Sequence, residues 1–249
     1  MKYMGSKARL AADWLPIILS DRKPGQVYVE PFSGGCNMID KVPGLRVAND
    51  SNKYLQAFWD QFVHNHWTPP EYVGPGVYKI FREHVKNRTL GKEPEIQAFA
   101  GWIGICCSYR GKWFGGFAGR NTGKTGKLRD YQAEALRNVE KQKPLLLNVQ
   151  FRSQEYNDFP IPPNSIIYCD PPYLDTTGYD ADFDHVSFWN WARQQARDGH
   201  SVYVSEYQAP PDFQCVATKN INNSLSSNGT SGGFTQGVEK LFVYRGCEL

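Results

Sequence analysis

The sequence has no run of eighteen or more apolar residues, the length that a membrane-crossing helix requires. Its N-terminus, Met1-Lys2-Tyr3-Met4-Gly5-Ser6-Lys7, lacks the apolar core of a secretory signal, which predicts a cytosolic protein. There is no Cys-x-x-Cys pair among Cys36, Cys106, Cys107, Cys169, Cys215 and Cys247. Adjacent Cys106 and Cys107 are a poor scaffold for a bridge, so reduced thiols and no structural zinc are expected. The five histidines are scattered, and only His64 and His66 lie close in sequence. A tetrahedral metal site needs more ligands than that, so no metal is expected. The net charge of +3 does not by itself imply a nucleic-acid partner, so the distribution of the charge carries the argument. The dinucleotide fingerprint G-x-G-x-x-G is also missing, which counts against a pyrophosphate site.

What is present is a chain of 249 residues, 41% hydrophobic, enough for one sizeable core and a large insertion. Short apolar runs read as strands at Val27–Val29, Leu45–Ala48, Leu145–Val149, Ile166–Tyr168, Val202–Val204, Phe213–Ala217 and Leu241–Tyr244. Helical patterns alternate with them, which predicts an α/β fold with a mostly parallel sheet covered on both faces. Leu55, Phe58, Trp59, Phe62 and Val63 fall at i, i+3, i+4, i+7 and i+8 of a helix starting near Asn52, with Asp50 or Ser51 as its cap. The alternation breaks between about residues 60 and 143, where helical patterns at Val77–Val85, Glu95–Cys107 and Tyr131–Lys141 predict an inserted lobe. The stretch from Lys219 to Gly237, rich in Asn, Ser and Gly, is expected to be irregular and mobile.

Two turns carry chemistry. Val27 to Asn37 reads as strand, glycine turn and helix start, with Phe32-Ser33-Gly34-Gly35 at the turn. Glycines there let a ligand approach the backbone at the open end of a parallel sheet. Asp50 ends the second strand about twenty residues on, where a carboxylate accepts bonds from ribose hydroxyls. A nucleoside cofactor without phosphates, such as S-adenosyl-L-methionine, needs no pyrophosphate cradle.

The second turn is the sharper one. An apolar strand, Ile166-Ile167-Tyr168-Cys169, runs into Asp170-Pro171-Pro172-Tyr173. Two prolines fix the backbone and remove two N–H donors, leaving carbonyls to accept from a ligand. An exocyclic amino nitrogen is a poor nucleophile because its lone pair is delocalised into the ring. The Asp170 carboxylate and the Pro171 carbonyl, each accepting one N–H, favour a more tetrahedral nitrogen able to attack a methyl sulfonium. Tyr173 supplies a stacking face for a base that has left the duplex, worth roughly 1–3 kcal/mol in comparable contacts. The bland alternative is a proline turn with a solvated Asp170.

From Arg110 to Arg129 there are six basic residues and no acidic one, with Trp113, Phe114 and Phe117 among glycines. Cations here can neutralise phosphates, and arginine can read guanine in the major groove. Arg120 is the first candidate for DNA contact, followed by Arg110, Lys112, Asn121 and Lys124. A solvated basic loop is the alternative.

Taken together, these residues resemble the Dam-like (D12 class, α group) adenine-N6 DNA methyltransferases over nearly the whole chain. Tyr3-Met4-Gly5-Ser6-Lys7 looks like that family's N-terminal cofactor motif, which implies cofactor roles for Tyr3 and Lys7. Glu30-Pro31-Phe32-Ser33-Gly34-Gly35 is similar to its glycine motif, and Ala48-Asn49-Asp50 to its ribose-binding motif. Tyr156 and Tyr179 occupy places where the family carries cofactor-packing side chains. Tyr109 to Arg120 resembles its DNA-reading hairpin. The resemblance implies a Rossmann-like, seven-stranded methyltransferase sheet, with residues 1–59 and 144–249 binding the cofactor and 60–143 recognising the target. It further implies double-stranded DNA as partner, a bacterial or phage setting, and either a monomer or a homodimer on a palindromic site. RNA guanine-N2 methyltransferases carry a similar Asp-Pro-Pro turn and are the alternative, beside an inactive DNA-binding relative.

Overall fold

The computed structural model describes residues 1–122, 126–173, 183–223 and 235–245. The elements run α1 (Ala11–Ile18), β1 (Tyr28–Glu30), β2 (Arg46–Asn49), α2 (Lys53–His64), α3 (Pro75–Lys86), α4 (Pro94–Cys106), β3 (Arg120–Thr122), β4 (Leu128–Asp130) and α5 (Tyr131–Leu146). They continue with β5 (Val149–Arg152), β6 (Ile166–Cys169), α6 (His185–Arg197), β7 (Ser201–Glu206), β8 (Phe213–Asn223) and β9 (Thr235–Tyr244).

A seven-stranded mixed sheet has the order β5-β2-β1-β6-β7-β9-β8, and β3 and β4 form a separate two-stranded ribbon. β2 pairs with β5, β1 with β6, and β6 with β7, all parallel. β9 pairs antiparallel with β7 and with β8. Burial follows position. Every residue of β1, β2 and β6 is buried, as strands covered on both faces require. Edge strand β5 alternates, with Val149 and Phe151 in and Gln150 and Arg152 out.

By its internal contacts the chain divides into two compact units, Met1–Ala11 with Phe32–Phe159, and Ala12–Pro31 with Pro160–Leu249. In the first, α2 buries Leu55, Phe58, Trp59, Phe62 and Val63, the stripe read from the sequence, and also Gln56. α4 approaches α2 so closely that a Cβ on Gly101 would sit 2.1 Å from the Tyr54 carbonyl oxygen. Glycine is required there. This packing ties the helices after residue 60 to α2, β2 and β5 in one compact unit.

Four expectations change. The cap of α2 is Asn52, whose side chain accepts from Leu55 N–H at 3.2 Å, and Asp50 is engaged elsewhere. Leu145 and Leu146 belong to α5, not to a strand. The apolar run is helical because Val139, Gln142 and Leu146 share the buried face, while Leu145 and Leu147 are exposed. A short apolar run does not reveal which period it obeys. The segment from Lys219 to Gly237 is not wholly irregular. Lys219–Asn223 pairs with Thr235–Glu239, so cross-strand hydrogen bonding orders a sequence that its composition does not. Finally, the basic segment is not one loop but two antiparallel pieces: Ser108 bridges Phe117, with Tyr109 N–H donating to the Gly116 carbonyl at 2.7 Å, and β3 pairs with β4, with Arg120 opposite Asp130.

Candidate functional site

In the first unit the glycine turn is fixed by polar side chains from around it. Ser33 N–H donates to the Asn49 carbonyl at 2.8 Å, at the end of β2. Gln56 donates to Ser33 Oγ at 2.9 Å, and Trp59 Nε1–H to the Gly34 carbonyl at 3.4 Å. Buried Gln142 of α5 donates to the carbonyls of Gly35 and Cys36 at 3.0 and 2.9 Å. Gly34 has φ +45°, and a Cβ on it would lie 2.6 Å from Tyr3 Cε1. A Cβ on Gly35 would lie 2.7 Å from Tyr3 Cβ. The Tyr3 side chain therefore lies on the turn itself, so the N-terminal motif and the glycine motif form one surface. Lys7 of the same N-terminal segment is buried.

Asp50 closes this arrangement. Its Oδ2 accepts from Gly34 N–H and its Oδ1 from Asn52 N–H, both at 2.9 Å. Burial pushes its carboxyl above the usual carboxylate range, opposed by those two N–H bonds. Each oxygen keeps a further lone pair, the acceptor capacity that a ribose diol uses. Asn49, fully buried, donates to the Gln154 carbonyl at 2.9 Å and accepts from Gln154 N–H at 3.0 Å. That clamp fixes the loop after β5, where Tyr156 packs on Phe32 with ring centroids 5.3 Å apart. A carboxylate with open acceptor sites beside aromatic faces fits the ribose and base of an adenosyl group. Tyr179 lies outside the described residues.

The second unit holds the proline turn. β1 and β6 are parallel, with Tyr28 level with Ile166 and Val29 with Ile167, so Glu30-Pro31 and Asp170-Pro171 leave the same sheet edge. Glu30 is buried and accepts from Tyr28 O–H at 2.9 Å. Tyr168 pairs with Ser205 Oγ at 2.6 Å. Pro171 is buried, while Asp170, Pro172 and Tyr173 are half-buried. Tyr173 O–H donates to Glu239 Oε2 at 2.6 Å, and its ring meets Tyr207 at 4.8 Å and 82°. Burial, with Asp170 and Glu239 adding to it, pushes the Tyr173 phenol far above its ordinary range, so it stays a protonated donor. Burial, again reinforced by Asp170, does the same for the Tyr168 phenol and the Cys169 thiol. The carboxylates of Glu30, Asp170 and Glu239 act on these groups around the turn, a setting suited to a substrate group that gains positive charge.

The basic segment separates its aromatics from its cations. Phe114 and Phe117 each meet Tyr78 at 5.5 Å, and Trp113 stacks on Tyr54 at 6.1 Å and 15°. These half-buried aromatics pack the loop against α2 and α3. Arg110, Lys112, Arg120 and Asn121 are exposed, and Lys124 lies outside the described residues. Arg110 has φ +57°, an uncommon backbone for a residue with a Cβ. Arg120 donates through Nε to Asp130 at 2.8 Å and lies 4.9 Å from the Tyr72 ring centroid. Asp130 also caps α5 through Gln132 and Ala133 N–H, so one carboxylate starts the helix and orients the arginine. Those N–H bonds and Arg120 hold its carboxyl below the usual range.

Gln56, Gln142, Tyr207 and Glu239 are not apparent as site residues in the sequence. A signal existed for Gln56, a polar residue on an otherwise apolar helix face. Among the described residues no group of three or more His, Cys, Asp or Glu could hold a metal ion. No helix among them is long and apolar enough to cross a membrane.

The family model of the D12 class N6 adenine-specific DNA methyltransferases matches residues 3–93. The chain is 26% identical over 220 residues to the type II methyltransferase M.FokI of Planomicrobium okeanokoites, covering 78% of this chain and 32% of that protein. It therefore spans about a third of the length of this curated relative. The crystal structure of SMU.472 complexed with SAH aligns with a TM-score of 0.36 and 14% identity, over 98% of this chain and 53% of that one. The residues that this family model matches include Tyr3 to Lys7, the glycine turn and Asp50.

Proposed function

We propose that this chain transfers a methyl group from S-adenosyl-L-methionine to the N6 amino group of an adenine flipped out of duplex DNA, at a defined short site. The observation that supports this most is the Asp170-Pro171-Pro172-Tyr173 turn at the carboxyl end of buried strand β6. Tyr3, Lys7, Glu30, Phe32, Gly34, Asp50, Tyr156 and Tyr179 hold the cofactor in this reading, Asp50 by accepting from the ribose. When bound, the cofactor supplies a methyl group on a sulfonium and departs as a neutral thioether. Asp170 and the Pro171 carbonyl each accept one N6–H, which localises the nitrogen lone pair for in-line attack. The N6–CH3 bond forms as the S–CH3 bond breaks, and one N6 proton then leaves to solvent. Pro172 keeps the turn rigid, and Tyr173 stacks on the flipped base. Residues 60–143 recognise the target, with Arg120, Arg110, Lys112, Asn121 and Lys124 on phosphates or base edges.

Incubation with methyl-labelled cofactor and mixed-sequence duplex, then digestion to nucleosides, is expected to yield labelled N6-methyladenine. Label only in RNA guanine would replace this reading by the guanine-N2 alternative. Methylation-sensitive sequencing of a plasmid from expressing cells reads out the site.

A further inference from the structure

On β9 the usual pattern is inverted. Val238 is 40% exposed, while its neighbour Glu239 is only 5% exposed. An acid in the core and an apolar residue in solvent is a poor choice for stability, and such reversals mark function. Glu239 is not near Asp170 to Tyr173 in sequence. The sheet brings it there, because β9 lies beside β7, the strand next to β6. Its Oε2 accepts from Tyr173 O–H at 2.6 Å, the length of a charge-assisted bond. The Tyr207 ring, at 4.8 Å and nearly perpendicular, bounds the same tyrosine.

We propose that Glu239 is a positioning residue that, through the Tyr173 hydroxyl, fixes the ring on which the target base stacks. This rests on the reading of Tyr173 given above. An unrestrained tyrosine rotates about two side-chain bonds, and a base stacked on it moves with it. Holding the hydroxyl removes that freedom before the base arrives, which keeps the amino group aligned with Asp170 and Pro171. A carboxylate suits the task because it accepts strongly and never donates, so the phenol must present its proton to it.

The test is a double-mutant cycle in the full chain with Tyr173→Phe, Glu239→Leu and both together. Glu239→Gln, which keeps an acceptor, serves as the conservative variant. Single-turnover methyl transfer is expected to slow roughly tenfold in each single variant, as loss of a charged hydrogen bond implies. The double variant should be no slower than the slower single, Glu239→Gln should lie between wild type and Glu239→Leu, and cofactor affinity should be unchanged throughout. Multiplying effects, or a fall in cofactor affinity, would overturn the proposal.

An activity-independent readout uses protein carrying 13Cζ-tyrosine. The Tyr173 resonance, identified by its loss in Tyr173→Phe, should shift in Glu239→Gln, and an unmoved resonance overturns the proposal. If wild-type protein methylates guanine in RNA instead, the same cycle is run on that substrate. The parent reading then fails while the fate of Glu239 is still decided.

Discussion

The two turns that follow strand ends are built on opposite plans. The glycine turn after β1 has little side chain of its own, and its shape comes from bonds made to its backbone by Trp59, Gln142 and Asp50 and to the Ser33 hydroxyl by Gln56. The proline turn after β6 is rigid by its own covalent structure and is set among buried acids and phenols. One is shaped to let a ligand come close, the other to accept from a group that becomes positive. A binding surface tolerates being held from outside, whereas a polarising one needs its acceptors fixed before the reaction begins.

This contrast breaks most sharply at Asp170. Asp170→Ala should lower the transfer rate by about two to three orders of magnitude, as loss of a preorganised electrostatic partner does. Cofactor affinity, measured by isothermal titration, should stay within a few-fold of wild type. Full activity in that variant would remove Asp170 from the reaction. Gly34→Ala should show the opposite profile. The new methyl meets the Tyr3 ring at 2.6 Å on a φ of +45°. A cost of roughly 1–3 kcal/mol, divided between stability and cofactor affinity, is expected from strain of that kind. Denaturant unfolding and titration measure the two parts, and an unchanged variant would mean that the Tyr3 contact yields freely.

The smallest effect sharpens the role of Asp50. Its carboxyl titrates above the ordinary carboxylate range because it is buried. A raised folded-state value means that its stabilising contribution is present at pH below the unfolded value and lost as pH rises through the folded one. Ionised Asp50 is therefore a cost to folding at neutral pH, retained for what it accepts. Acidification through its raised value should weaken cofactor binding several-fold even as this group's own contribution to stability grows. Asp50→Asn should flatten that pH dependence of affinity in titrations at several pH values. An identical profile in wild type and variant would place the ribose contact elsewhere.

Much of this was legible in the sequence because it is local. The i, i+3, i+4 stripe of α2 and the apolar strand before Asp170 depend on periods of 3.6 and 2, which a few neighbouring residues reveal. The glycine turn, Asp50 and the proline turn announce themselves by residue type. The three leucines of Leu145–Leu147 satisfy either period until Val139 and Gln142 fix the buried face. The aromatics of the basic segment are interleaved with its cations in sequence, yet Trp113, Phe114 and Phe117 turn inward onto Tyr54 and Tyr78.

The sequence by itself determined the alternation of strands and helices, the two turns and the type of chemistry each can perform, since these follow from backbone restriction and side-chain functional groups within a few residues. Only the tertiary structure decided which distant side chains serve them. Tyr3 lies on Gly34, Gln142 holds Gly35, Asn49 clamps Gln154 and Glu239 holds Tyr173 because the sheet order and helix packing juxtapose residues far apart in the chain. No local period encodes a strand order, so no local reading could have supplied those contacts.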